Sequence, residues 1–259
     1  MDLFSFNPDN ILSFILTLIR VSVIVFALPF FGASVIPQTI KASLCLVLTL
    51  ALWPQLSFPG ALLPGGLFQL ALMVVGEFIL AIIFNVIINF LFAAVQTGGY
   101  LIGFSMGFSM VNAMDPLTGT QDVVTAYFLS QVALITFLSL NGHYFLLSAL
   151  ADSFALVPPG GLLINPSLGG DMLKFSGQIY LLALKISAPV LIPMLLVDLA
   201  LALAGREAPQ MNLFSFGFPL KILIGFLFLT MIFTMMARYV GDYILELAPM
   251  YRSIMKSPG

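Results

Sequence analysis

LFQLALMVVGEFILAIIFNVIINFLFAAV, residues 67–95, carries a single charged side chain, Glu77. A stretch so long and apolar is helical, because a helix satisfies its own backbone groups in an apolar medium and the alternation of a barrel strand is missing. On that helix Asn85, Asn89 and the following Gln96 fall within about 40° of one another, with Glu77 about 80° away. This polar stripe reads either as interhelical hydrogen bonding or as the wall of a pore or proton path. Working outward, further apolar runs lie at 11–31, 38–53, 123–151, 178–204 and 219–240, parted by stretches rich in Pro, Gly, Ser and Asn. Six mostly helical segments are expected, giving an all-α, membrane-associated chain in one compact unit. The separators are PQLSFPGALLPGG after Trp53, a glycine- and methionine-rich tract at 98–119, VPPGGLLINPSLGGD after Leu156 and GREAPQMNLFSFGF after Ala204. Each interrupts helix by removing donors or relaxing the backbone.

Composition narrows the function. The 259 residues are 61% hydrophobic and 8% charged, with mean hydropathy +1.12, where a soluble domain carries about 25% charged residues. The formal net charge of −2 leaves no basic cluster to displace counterions from nucleic-acid phosphates. One cysteine, Cys45, excludes an internal disulfide, and its apolar setting reads as a small buried hydrophobe. MDLFSFNPDN at the start has two aspartates and no basic residue, and Arg20 interrupts the next apolar run, so that run is expected to be retained rather than cleaved.

Charges inside the greasy runs are the first anomaly. Arg20, Lys41, Glu77, Lys185 and Asp198 sit within or at the edge of apolar segments, where a lipid-facing charge costs about 2.5–3.5 kcal/mol. Each requires a partner or a wet cavity, so ion pairs between helices and a proton relay both remain open. The 38–53 run is shorter than a straight span, and Pro189 and Pro193 interrupt 178–204. Lys and Arg fall on both sets of connections, so the positive-inside rule gives no orientation. A protein positioned by packing with other subunits would show that pattern.

The second anomaly is GGYLIGFSMGFSMVNAMDPLTG, residues 98–119. If the part before Pro116 is helical, Gly99, Gly103 and Gly107 share a face with Met106, Met110 and Met114, opposite Leu101, Phe104 and Phe108. Glycines four apart admit another backbone, and methionine thioethers re-pack around changing neighbours. Tight packing before a turn at Asp115–Pro116 and a seal that opens are both compatible with this. Thr118 with Gln121 reads as a capping box for the following helix. Enzyme chemistry has little to build on: His143 has no second His, Cys or close acidic pair at metal-ligand spacing, and neither GxSxG nor GxxxxGK occurs. A structural role at the end of the fourth run is the reading for His143, with a proton relay as its alternative. No catalytic residue, metal or cofactor is expected.

The segments QTGGYLIGFSMGFSMVNAMDPLTG at 96–119, FLSLNGHYFLLSALADSFALVPPGG at 137–161 and AGREAPQMNLFSFGFPLKI at 204–222 together resemble the FliR family of flagellar biosynthetic proteins. More distantly they are similar to the counterparts of that family in virulence-associated type III secretion. The likeness spans almost the whole chain, and NGH followed by DSF and a PxGG turn points to the flagellar branch.

The resemblance implies a non-enzymatic subunit of the export gate in the bacterial inner membrane, within the flagellar basal body. It would be present as a single copy with FliP and FliQ, contacted by FlhB and FlhA, and would pass unfolded flagellar proteins outward. Residues 1–204 would form a FliP-like helical portion, and 205–259 a connecting motif and the C-terminal part of a FliQ-like hairpin, in a helical cone partly on the periplasmic side. The tract 103–119 matches the family's plug loop, with Phe104, Met106, Phe108, Met110, Met114, Asp115 and Pro116 as plug, and Gly99, Gly103 and Gly107 as close-packing or hinge positions. Pro209, Gln210, Asn212, Phe214, Gly217, Phe218 and Pro219 would build the connection. A secondary transporter, an injectisome-type gate subunit and an intramembrane enzyme using His143 and Asp152 are the rival readings.

Overall fold

The computed structural model describes residues 8–27, 36–54, 66–108, 123–157, 166–208, 210 and 213–255. Seven helices run through them: α1 Pro8–Ala27, α2 Gln38–Leu52, α3 Leu67–Met106, α4 Val124–Ser139, α5 Gly142–Leu156, α6 Pro166–Glu207 and α7 Leu213–Met255. There is no strand among the described residues. The fold is all-α.

Seven helices replace six runs because the fourth run breaks. Asn141 takes the left-handed conformation, φ 58°, between α4 and α5, which bend by 66°. Asparagine tolerates that region better than other residues with a side chain, and the Asn141–Gly142 dipeptide supplies the turn. The Leu140 N–H closes α4 on the Thr136 carbonyl at 2.9 Å. His143 therefore stands exposed in the first turn of α5 rather than at the end of a continuous helix.

Three helices also outrun their apolar patterns. Helix α6 takes in PSLGGD, with Pro166 in the first turn where a missing N–H costs nothing. Helix α7 starts at Leu213, inside the separator that precedes it. Helix α3 continues past Val95 through Gly98, Gly99 and Gly103 and stops at Met106, where Gly107 has φ +89° and its N–H reaches the Phe104 carbonyl at 3.1 Å. A left-handed glycine just past the last turn is the ordinary way to end a helix. Helix α4 opens at Val124 with Val123 as N-cap and no side-chain cap bond, and the capping box at Thr118 and Gln121 lies outside the described residues.

Two compact units result. One comprises 1–89, 141–173 and 244–259, the other 90–140 and 174–243. In the first, α1 and α2 meet where the Trp53 indole N–H donates to Ser13 Oγ at 3.2 Å and its ring meets Phe14 edge-on at 5.7 Å. Tyr251 of α7 is buried there, stacked on Phe84 at 4.2 Å, and its hydroxyl donates to the Phe84 carbonyl at 2.9 Å. In the second unit edge-on rings join α3 to α4 through Phe92 and Phe137, and α4 to α7 through Phe128 and Phe233, both at 5.8 Å. Helices α6 and α7 run antiparallel, since Asp198 pairs with Lys221 and Leu201 lies against Gly217.

Three helices, α3, α6 and α7, are long and apolar enough to cross a membrane, and a fourth span results if the bent α4–α5 pair is one. Half of the most apolar window of α3 is buried within the chain, against 22% for α6 and for α7. Helix α3 is the most buried of the three, and the long C-terminal pair leaves most of its apolar surface uncovered by the chain.

Asn141→Val should cost about 1–2 kcal/mol by forcing a β-branched residue into the left-handed turn. Asn141→Gly should leave thermal unfolding of the purified protein in detergent near that of the parent.

Candidate functional site

The buried face of α1 comprises Leu16, Thr17, Arg20, Val21, Ile24 and Val25, a helical stripe that carries Arg20 into the interior. On α3 the same logic turns Met73, Glu77, Leu80, Ala81 and Phe84 inward. The two charges meet, each side chain 1% exposed. Arg20 Nε donates to Glu77 Oε2 at 2.5 Å and Nη2 to Oε1 at 2.8 Å, a bidentate pair. Nη1 donates to the Val157 carbonyl at 3.0 Å and the Ser153 carbonyl at 3.3 Å, and Ser153 Oγ lies 3.5 Å away. Those carbonyls close the C-terminus of α5, where a cation also opposes the negative end of the helix dipole. The Phe154 ring lies under the guanidinium at 4.3 Å. One side chain thus ties three helices together.

The glycine–methionine tract begins in the second unit. A Cβ added at Gly99 would land on the Ala126 backbone, and one at Gly103 on Val123 and Thr125 of the α4 entry. Thr125 Oγ1 donates to the Gly99 carbonyl at 2.8 Å, so α3 and α4 cross with backbones in near contact. On the other side a Cβ at Gly98 would stand 3.1 Å from the Ala183 carbonyl of α6. At the helix end Met106 is fully buried against Gly225 of α7, Gly107 lies beside Phe218, and Phe108 meets Phe226 edge-on at 6.4 Å. Phe104 is 73% exposed. Met110, Met114, Asp115 and Pro116 lie outside the described residues, as do Pro209 and Asn212.

The other residues singled out in the sequence are dispersed. Asn89 bonds the Asn85 carbonyl at 2.9 Å and the Asn85 side chain, and Gln96 reaches Tyr100 at 3.4 Å, so these polar groups bond along their own helix. Asp198 pairs with Lys221 at a half-exposed position, Lys41 is buried in α2, and Lys185 is exposed with no ion-pair partner among the described residues. Gln210 is exposed in the turn before α7; Gly217 is buried, Phe218 half-buried and Pro219 exposed in its first turns, which also include Phe214. No group of His, Cys, Asp and Glu suited to a metal occurs among the described residues. Ser153 and Val157 could not be read from sequence as partners of Arg20, because their accepting groups are mainly backbone carbonyls. Gly225 could: an isolated glycine inside a helical pattern marks a close approach.

The family described as bacterial export proteins, family 1, matches residues 11–247. This chain belongs to that family. It is 33% identical over 208 residues to the flagellar biosynthetic protein FliR of Escherichia coli (strain K12), covering 80% of this chain and 79% of that one. It is 31% identical over 222 residues to FliR of Bacillus subtilis (strain 168), covering 84% of each. To FliR of Pectobacterium carotovorum it is 27% identical over 242 residues, covering 92% and 90%. The export family member described here is therefore an all-helical membrane protein whose match runs across both units.

Arg20→Ala should cost about 3–5 kcal/mol in thermal unfolding, because it strands a buried carboxylate. Replacing both charges in Arg20→Met/Glu77→Leu should restore much of that loss. Glu77→Gln, which keeps the shape but leaves the buried guanidinium without its counter-charge, should also lower thermal stability in the same assay.

Proposed function

We propose that this chain is a core subunit of the flagellar type III protein export gate in the bacterial inner membrane, partly on its periplasmic side. It builds and plugs the channel with FliP and FliQ, as a single copy beside FlhB and FlhA, and unfolded flagellar proteins pass outward through it. Its work is shaping and sealing a conduit rather than bond chemistry.

The observation that carries this reading is a mismatch of length and burial. Helices of 40, 42 and 43 residues are roughly 60 Å long at 1.5 Å per residue, about twice the hydrocarbon core of a bilayer. On α6 the exposed apolar positions from Tyr180 to Leu203 alone extend over roughly 35 Å. A largely apolar surface that is longer than the hydrocarbon core is one that other apolar proteins cover. Family membership and the FliR relatives support placing the chain in the flagellar export apparatus. In this reading residues 1–204 act as the FliP-like portion, 205–259 complete the hairpin, and the tract to residue 119 is the plug. A secondary transporter would instead rely on paired repeats and midplane charges. Here Lys185 is exposed and Glu77 is locked in a saturated ion pair.

Gentle solubilisation followed by affinity capture should recover this chain with FliP-like and FliQ-like subunits, whereas a lone monomer would contradict the assignment. Deleting 109–114, beyond the anchored Met106 and Phe108, should leave the complex assembled yet raise membrane permeability to small ions. Unchanged permeability would remove the plug assignment.

A further inference from the structure

We propose that Met106 and Gly225 form a lock that fixes the C-terminal end of α3 on α7 and positions the tract that follows, an inference that rests on the plug reading for its functional consequence. Three consecutive residues, the last of α3 and the two that follow it, each meet the N-terminal half of α7: Met106 at Gly225, Gly107 at Phe218 and Phe108 at Phe226. Phe218 and Gly225, seven residues apart, share one helix face, and Phe226 is the neighbour of Gly225.

The Met106–Gly225 contact leaves no room for a side chain. A Cβ at position 225 would stand 2.5 Å from Met106 Cε, 2.6 Å from Cγ and 2.7 Å from Sδ, so the thioether fills the volume that a side chain there would need. The overlap reaches Cγ, near the root of the side chain, and Met106 is fully buried, so a swing of the methyl group alone does not relieve it. Alanine is the better helix former, so glycine in the middle of α7 serves this contact rather than the helix.

The next residue makes the lock directional. Gly107 has φ +89°, and a Cβ there would stand 2.9 Å from Phe218 Cδ1, so only glycine turns the chain at this point while staying on α7. The helix that carries Glu77 at one end is thus held at the other by a knob in a notch. Phe104, two residues before Met106, stays 73% exposed, so the lock takes one face of the last turn and leaves the other free.

The test is methionine footprinting with peroxide on the assembled protein in its own membranes, comparing each rate with the same residue after SDS denaturation. Met106 should oxidise at least tenfold more slowly in the assembly, and Gly225→Ala should raise its rate at least fivefold. Oxidation of native Met106 at the denatured rate, which needs no variant, overturns the lock, as does unchanged protection in Gly225→Ala. For positioning, Met106→Ala should raise ion permeability while Met106→Leu, which keeps apolar volume, should not. If deletion of 109–114 leaks and Met106→Ala stays tight, the positioning role is overturned. If neither leaks, the plug reading fails, and the footprint alone decides the lock.

Discussion

A guanidinium cannot sit unpaired in an apolar interior, and Arg20 decides which helices of the first unit must meet. Its fork takes both oxygens of Glu77 on α3, and its remaining nitrogen takes the carbonyls of Ser153 and Val157 at the C-terminus of α5. Apolar packing alone would let α1 slide along α3 at small cost, since Leu, Ile and Val on facing helices are nearly interchangeable. A bidentate pair with a fixed geometry does not slide. The pair adds little net stability over a well-packed apolar substitute, yet leaving either half alone is expensive, and that asymmetry makes it a register device.

The second unit follows a different rule, that of size. Glycines at 98, 99 and 103 bring α6 and α4 against α3, and the glycine at 225 admits Met106 from the end of α3. Close backbone approach is how helices associate where no hydrophobic force separates protein from its surroundings. Burial falls from half of the apolar window in α3 to about a fifth in α6 and α7. Most of the apolar surface of the long C-terminal pair is left uncovered by the chain itself, as the proposed place in a shared conduit requires.

Much of the helical architecture was legible because apolar runs of such length admit few alternatives. The boundaries were less so. The break at Asn141–Gly142 had its signal in the dipeptide, but the apolar residues on both sides hid it within a single run. The starts of α6 at Pro166 and α7 at Leu213 fell inside stretches rich in glycine, proline and asparagine, where tertiary packing overrides weak helix propensity. At the sites, Arg20 and Glu77 were visible as charges needing partners, while the backbone acceptors on α5 had no side-chain signature. Asn85 and Asn89 formed a stripe on paper that closes on itself along one helix. The face shared by Gly99, Gly103 and Met106 could be drawn from periodicity, but the left-handed turn at Gly107, which ends α3 at Met106, could not.

A place in the export gate requires that protein, and not lipid, cover the outward apolar surface of α6. Photo-crosslinking from single positions between Tyr180 and Leu203 in living bacteria measures this directly. Adducts with other export-gate subunits are expected along the whole 180–203 stretch, which is longer than the hydrocarbon core of a bilayer. Exclusive labelling of those positions by a lipid-phase probe, with no protein adduct, would contradict it.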